Sequence, residues 1–226
     1  MNNTKKRENL LLGILINVVI PSLILSKLSG TLTEVGALIL ALSLPLCYGI
    51  YEMILAQKLS FFSVIGIVSI LLTGGVGLLK LPSEYLAIKE ALIPGLLGLC
   101  IFISIWTPFP VIRSLLQSGL DFDAVDKKLH EHKKNIEFDS VLTKATLIFS
   151  LSFFVSSILN FLLAKWIVVS PTGSSAFNEE LGRMTLLSYP VIVVPSFLIM
   201  MVMAYYVISK LTKLTGISIE DLMVKR

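Results

Sequence analysis

Charge is what this chain has least of. Only 15% of its 226 residues are Asp, Glu, Lys or Arg, where a soluble domain averages about 25%. The shortage argues against a soluble globular chain. It also argues against a disordered one, which needs high charge and low hydrophobicity. Two cysteines, Cys47 and Cys100, exclude a disulfide scaffold. Catalytic patterns are missing too: there is no HExxH, no GxSxG and no pair of aspartates inside an apolar run. The glycines at 74, 75 and 77 do not make a phosphate loop, because Lys80 precedes Leu81 and not a Ser or Thr. No basic patch with interleaved aromatics points to nucleic acid. The expectation is therefore a protein that is not an enzyme and carries no cofactor.

What is present is apolar sequence. Hydrophobic residues make up 55% of the chain and the mean hydropathy is +0.86. A bilayer core about 30 Å thick is crossed by about 20 apolar residues in a helix. Six such runs occur, at about 10–26, 35–55, 60–79, 87–106, 141–169 and 184–209. They predict an all-α, polytopic membrane helix bundle of six transmembrane helices, with 1–226 as one membrane domain. The bilayer is its first partner.

Basic residues set the orientation. With the N-terminus inside, the inner segments hold Lys5, Lys6, Arg7, Lys58, Arg113, Lys127, Lys128, Lys133, Lys134, Lys144, Lys210, Lys213, Lys225 and Arg226. The outer segments hold only Lys27, Lys80, Lys89, Lys165 and Arg183. This 14:5 bias predicts both termini cytoplasmic, since cytoplasmic loops collect Lys and Arg. The first run follows a basic stretch but no small-x-small cleavage site comes directly after it. It reads as an uncleaved anchor.

The connection at 113–144 is the long one. Phe122, Val125, Leu129 and Ile136 recur there at helical spacing, with Lys127, Lys128, Glu131, Lys133 and Lys134 between them. That pattern predicts an amphipathic helix on the inner leaflet. Its four lysines could dock envelope proteins. His130 and His132 lie beside Asp126 and Glu131, but histidines two apart face different sides of a helix. No metal site is expected.

Small residues mark where membrane helices touch. Such seams run through Ala37, Ala41, Pro45 and Gly49; through Gly66, Ser69, Thr73 and Gly77; through Ala87, Ala91, Gly95 and Gly98; and through Ser152, Ser156, Asn160 and Ala164. Asn17 and Asn160 are expected to bond across helices, and the two cysteines to fill small packing positions.

The segment 71–94 stands out. It reads LLTGGVGLLKLPSEYLAIKEALIP, with three glycines in four residues and then Lys89 and Glu90 inside the next apolar run. Charges at that depth are costly and usually face a bundle interior. Neighbours on a helix diverge by about 100°, so Lys89 and Glu90 are not expected to pair well. The expected pairs are Lys80 with Glu84 or Glu90, and Lys89 with Glu34. The candidate site is Thr73, Gly74, Gly75, Lys89 and Glu90, a polar pocket in the outer half floored by a glycine-loosened helix. Lys89 would hold an anionic small molecule or lipid. The glycine backbone would add hydrogen bonds, and Glu90 would couple a proton or cation.

This segment also resembles a widespread family of uncharacterised bacterial polytopic membrane proteins. Their pattern is Leu-Thr-Gly-Gly-x-Gly-Leu-Leu, a turn, then Ala-Ile-Lys-Glu-Ala and Pro, which corresponds here to 72–75, 77–79, 87–91 and Pro94. The stretch 45–49, and Asn17 with Pro21, look familial as well. More distantly the chain is similar to intracellular septation protein A, through a Gly-Gly third helix, a Lys-bearing fourth and a basic inner loop. The resemblance implies a bacterial cytoplasmic membrane protein and, through the distant relative, a link to the cell envelope. Two functions follow. One is a small-solute or lipid transporter-like protein, expected as a homodimer because six helices alone barely enclose a path. The other is an envelope or septation scaffold that binds partners through Lys127, Lys128, Lys133 and Lys134.

Overall fold

The structure, a computed structural model, describes residues 12–56, 61–107, 111–117, 120 and 122–218. Lys5, Lys6, Arg7, Leu10, Lys58, Ser60, Lys225 and Arg226, which entered the span and charge reading, lie outside the described residues. Eight helices and no strand are found among those that are described. They are α1 (Leu12–Leu28), α2 (Glu34–Ala56), α3 (Phe61–Leu78), α4 (Glu84–Ile103, tightened to a 3₁₀ turn at Ser104–Trp106), α5 (Val111–Gln117), α6 (Phe122–Glu131), α7 (Asn135–Ile167) and α8 (Ser175–Thr215).

Four helical segments are long and apolar enough to cross a membrane: Glu34–Leu55, Glu84–Trp106, Asn135–Ile167 and Ser175–Thr215. Two further apolar helices, Leu12–Leu28 and Val64–Leu78, are shorter. The outward faces are unusually greasy. Ile39, Leu40, Ile54 and Leu55 of α2 are exposed, as are Phe197, Leu198, Met201 and Val202 of α8. Contiguous apolar surface of this kind marks a lipid or protein interface.

Prolines shape the helices without ending them. Pro21 is preceded by a π turn at Leu15–Val19, and Pro190 lies inside another at Tyr189–Val193. A π turn absorbs the missing N–H and the ring's clash with the preceding turn. Pro45 and Pro94 sit within regular helix.

The chain forms two compact units. The first comprises Met1–Ile93 and Ser157–Ile192. Its core joins Leu25 of α1, Leu38 and Ala41 of α2, Leu86 and Ala87 of α4, and Phe177 and Leu181 of α8. Small residues let these helices close up: a β-carbon at Gly182 would lie 2.8 Å from the Ser22 carbonyl oxygen of α1. Thr33 starts α2, its hydroxyl accepting from the Gly36 amide at 3.1 Å. Ser174 caps α8 in the same way, accepting from Phe177 N at 3.1 Å. That cap starts α8 nine residues before the apolar run that marks it in the sequence. The early turns are polar, and several of their polar groups find distant partners. Asn178, 1% exposed, donates to Ser29 Oγ and the Glu34 carbonyl. Glu180 accepts from the amides of Val169 and Ser170 and from the Ser170 hydroxyl.

The second unit comprises Pro94–Ser156 and Val193–Arg226. Here the amphipathic helix departs from expectation. Val125 and Leu129 of α6 are 0% and 1% exposed, and pack with Val207, Leu211 and Leu214 of α8. The apolar face is covered by protein, not left for the leaflet. Ile136 belongs to α7, not to this helix, and is exposed. α7 begins at Asn135, well inside the stretch expected to be loop. Helix α6 stops at a Schellman turn in which Lys133 takes a left-handed φ of 58° and Lys134 N donates to Leu129 O. His132 Nδ1 bonds the Leu214 carbonyl at 3.1 Å, and His130 Nδ1 the Asp126 carbonyl at 2.9 Å. The hydrogen bond from Lys128 holds the Glu131 carboxyl below its ordinary range.

Half of the small-residue seam positions are buried. They are Ala37, Ala41, Thr73, Gly77, Ala87, Gly98, Ser152 and Ala164, whereas Gly66 is exposed with open space around it. Cys47 and Cys100 are exposed, which corrects their expected packing role. The Asn17 side chain makes no hydrogen bond to the described residues, whereas Asn160 has a partner. Serines of α7 also bond across helices: Ser157 Oγ donates to Ala91 O in the first unit, and Ser150 Oγ to Gly98 O in the second.

Gly182→Ala should therefore lower stability by about 1–3 kcal/mol, the usual penalty of overpacking. Gly66→Ala should leave stability level or raise it by up to about 1 kcal/mol through helix propensity. Unfolding of the two purified variants in one detergent checks the contrast; equal loss would contradict the helix contact.

Candidate functional site

The hairpin of α3 and α4 sets the register of the site. α3 ends in a Schellman turn: Leu81 N donates to Val76 O, and Lys80 takes the left-handed position with φ 52°. Thr73 lies five residues before the end of α3, and Lys89 five residues after the start of α4. Equal offsets on antiparallel helices put the two at one level, about one and a half turns in.

They meet there. Lys89 is 8% exposed and Thr73 is 8% exposed. Lys89 Nζ donates to Thr73 Oγ1 at 2.7 Å and to Glu90 Oε1 at 2.6 Å. Thr73 Oγ1 passes its own proton to the Ser69 carbonyl at 3.0 Å. The hydroxyl is thus oriented with its lone pair toward the ammonium. Of the five expected site residues, Thr73, Lys89 and Glu90 form one hydrogen-bonded cluster.

Two expectations are corrected. The first is that Lys89 and Glu90 would not pair. Their Cβ atoms do diverge, but a four-carbon lysine stem and a two-carbon glutamate stem curl toward one another and close the gap. An apolar surround rewards this, since an unpaired buried charge costs several kcal/mol (~3–5 when one partner is removed). None of the alternatives forms among the described residues: Lys80 has no ion pair to Glu84 or Glu90, nor Lys89 to Glu34. Glu34 instead accepts from the Ser175 hydroxyl at 3.3 Å.

The second concerns the glycines. α3 runs as unbroken α-helix through Gly74, Gly75 and Gly77. Their amides are engaged in its own ladder and are not offered to a ligand. Gly74 and Gly77 serve contact with α2: added β-carbons would lie 3.1 Å from Leu42 Cδ1 and 2.5 Å from Leu38 Cδ2. Nothing lies within 4 Å of a β-carbon at Gly75. Gly74 and Gly75 flank the cluster and do not supply its hydrogen bonds.

An ammonium has three N–H donors. Two of Lys89's are used, and the third has no partner among the described residues. Sequence reasoning missed the helpers: Ser69, which aims Thr73, and Ser157, which accommodates α4 at Ala91. A threonine four residues after any carbonyl in a helix can make the Ser69 bond, so that signal was present.

Lys89→Met should destabilise the protein by about 3–5 kcal/mol, because it strands the Glu90 carboxylate. Adding Glu90→Leu should restore most of the loss. Denaturant unfolding of both variants reads this coupling. A double variant no more stable than Lys89→Met would contradict the pair.

Comparison with protein-family models, with curated proteins and with solved structures finds no match.

Proposed function

We propose that the chain is a multi-pass protein of a bacterial cytoplasmic membrane, with six spans and both termini cytoplasmic. It acts as a proton-gated carrier for a small anionic solute or lipid headgroup. The observation that carries the reading is the Lys89–Glu90–Thr73 cluster, with Lys89 and Thr73 buried on the first unit's apolar helices, Glu90 partly buried, and one ammonium donor uncommitted. The 14:5 distribution of basic residues supports the topology.

The mechanism follows from charge. With Glu90 ionised, Lys89 is neutralised internally and has little attraction for an anion. When Glu90 takes a proton, the ion pair becomes a weaker hydrogen bond and the ammonium turns to an incoming anion. Thr73 keeps the ammonium in place during the exchange. One proton and one negative charge then occupy the cluster together, which keeps the net charge buried in lipid near that of the resting pair.

The scaffold reading has one observation of its own. α6 is clamped on α8, and Lys127 and Lys133 remain exposed beside it.

Vesicles reconstituted with the protein and loaded with a pH-sensitive dye give the test. An inward gradient of phosphate, sulfate or a dicarboxylate should acidify the lumen for at least one anion. Glu90→Gln and Lys89→Gln should each abolish that signal. Acidification that persists in both variants would sink the carrier reading. Cysteines placed in the 29–33 and 169–174 turns should react with an impermeant thiol reagent in intact cells, and one placed at 132–134 should not; the reverse labelling would overturn the topology.

A further inference from the structure

A groove of about 350 Å³ lies in the first unit between the start of α4 and the end of α7. It is separate from the cluster above. Glu84, Ala87 and Ile88 line it, and their spacing of three and four puts them on one face of α4. Phe161, Lys165 and Val168 of α7 and its following turn face them. The inner walls are apolar. The polar groups, Ser83, Glu84 and Lys165, belong to the helix ends.

The two ends stand at one level, because Thr172 Oγ1 of the α7–α8 loop donates to the Leu81 carbonyl of the α3–α4 turn at 2.7 Å. The wall is also fixed. Glu180 holds the Val169 and Ser170 amides at 2.9 and 2.8 Å. A preformed groove binds without first having to order itself.

The charges at the groove are not paired with one another or with other charges, though Lys165 lies over an aromatic ring. The Lys165 ammonium sits 5.6 Å from the Phe161 ring centroid. Neither Lys165 nor Glu84 makes an ion pair among the described residues. The occupant must therefore combine hydrocarbon with both signs of charge. A purely anionic lipid would satisfy Lys165 and be repelled by Glu84. A neutral sterol or hydrocarbon would pair with neither charge. A trimethylated amine would bring a cation with no N–H for the carboxylate.

We propose that this groove binds one phospholipid with a phosphoethanolamine headgroup. Lys165 and the Ser83 hydroxyl take the phosphate. Glu84 accepts hydrogen bonds from the primary ammonium, and an acyl chain runs along Ala87, Ile88, Phe161 and Val168.

Trp166, 72% exposed and next to Lys165 in the chain, is a built-in reporter. In the Trp106→Phe protein it is the only tryptophan. That protein is reconstituted in phosphatidylcholine vesicles containing a brominated-chain phosphatidylethanolamine, phosphatidylglycerol or phosphatidylcholine. The ethanolamine lipid should reach half-maximal quenching at a roughly fivefold lower mole fraction than the choline lipid, the factor that one interfacial ion pair supplies at the upper end of its range. Glu84→Gln should erase that preference, and Lys165→Gln should weaken it. Equal quenching by all three lipids in the parent protein would mean ordinary boundary lipid and overturn the proposal. So would a preference for phosphatidylglycerol, or an ethanolamine preference that survives Glu84→Gln.

Discussion

The interior of this protein is governed by the absence of water to solvate a charge. In such surroundings a lysine ammonium must find its partners within the fold, and Lys89 does so with Glu90 and Thr73. Much of the first unit is arranged to permit this. Alanines 37 and 41 and glycines 74 and 77 let α2 and α3 approach, because only small side chains allow backbones to close when lipid is no worse a neighbour than leucine. The α3–α4 turn then sets Thr73 level with Lys89. A slip of one residue in that turn would rotate one partner by about 100° and leave the ammonium facing lipid.

The same constraint explains the other polar contacts. Ser157 and Ser150 reach across to carbonyls of α4, and Asn178 bridges α8 to Ser29 and Glu34. Each binds a backbone oxygen or a hydroxyl, not a charge. Asn178 Oδ1 and Ser22 Oγ are buried without partners among the described residues. The Glu34 carbonyl fixes which end of the Asn178 amide faces it, because only the NH₂ can donate there.

The apolar helices and their small-residue seams were legible in the sequence because they are local patterns. Length and periodicity within one helix decide them. The prominence of 71–94 was legible for the same reason, and three of its five candidate residues do converge. What could not be read was one local pair and several long-range contacts. The Lys89–Glu90 pair was discounted on Cβ directions alone, which ignores the reach of two flexible stems. The glycines were read as a break, yet neighbours Leu38, Leu42 and Phe177 turn two of them into contacts. The α6 stripe is the same whether it meets lipid or protein; only the facing residues of α8 decide, and they lie some eighty positions away. Likewise, α8 begins earlier than its apolar run because Ser174 caps it and distant groups bond the Asn178 Nδ2 and the Glu180 carboxylate.

The reading as a whole turns on whether the Lys89–Glu90 pair opens to an anion when Glu90 is protonated. Native mass spectrometry of the protein released gently from its own membrane tests this most directly. Spectra should show a retained anionic small molecule or lipid that is missing in Lys89→Gln and more abundant in Glu90→Gln, where no carboxylate competes for the ammonium. A bound species that is indifferent to both substitutions, or stoichiometric protein partners with no small molecule, would contradict the account.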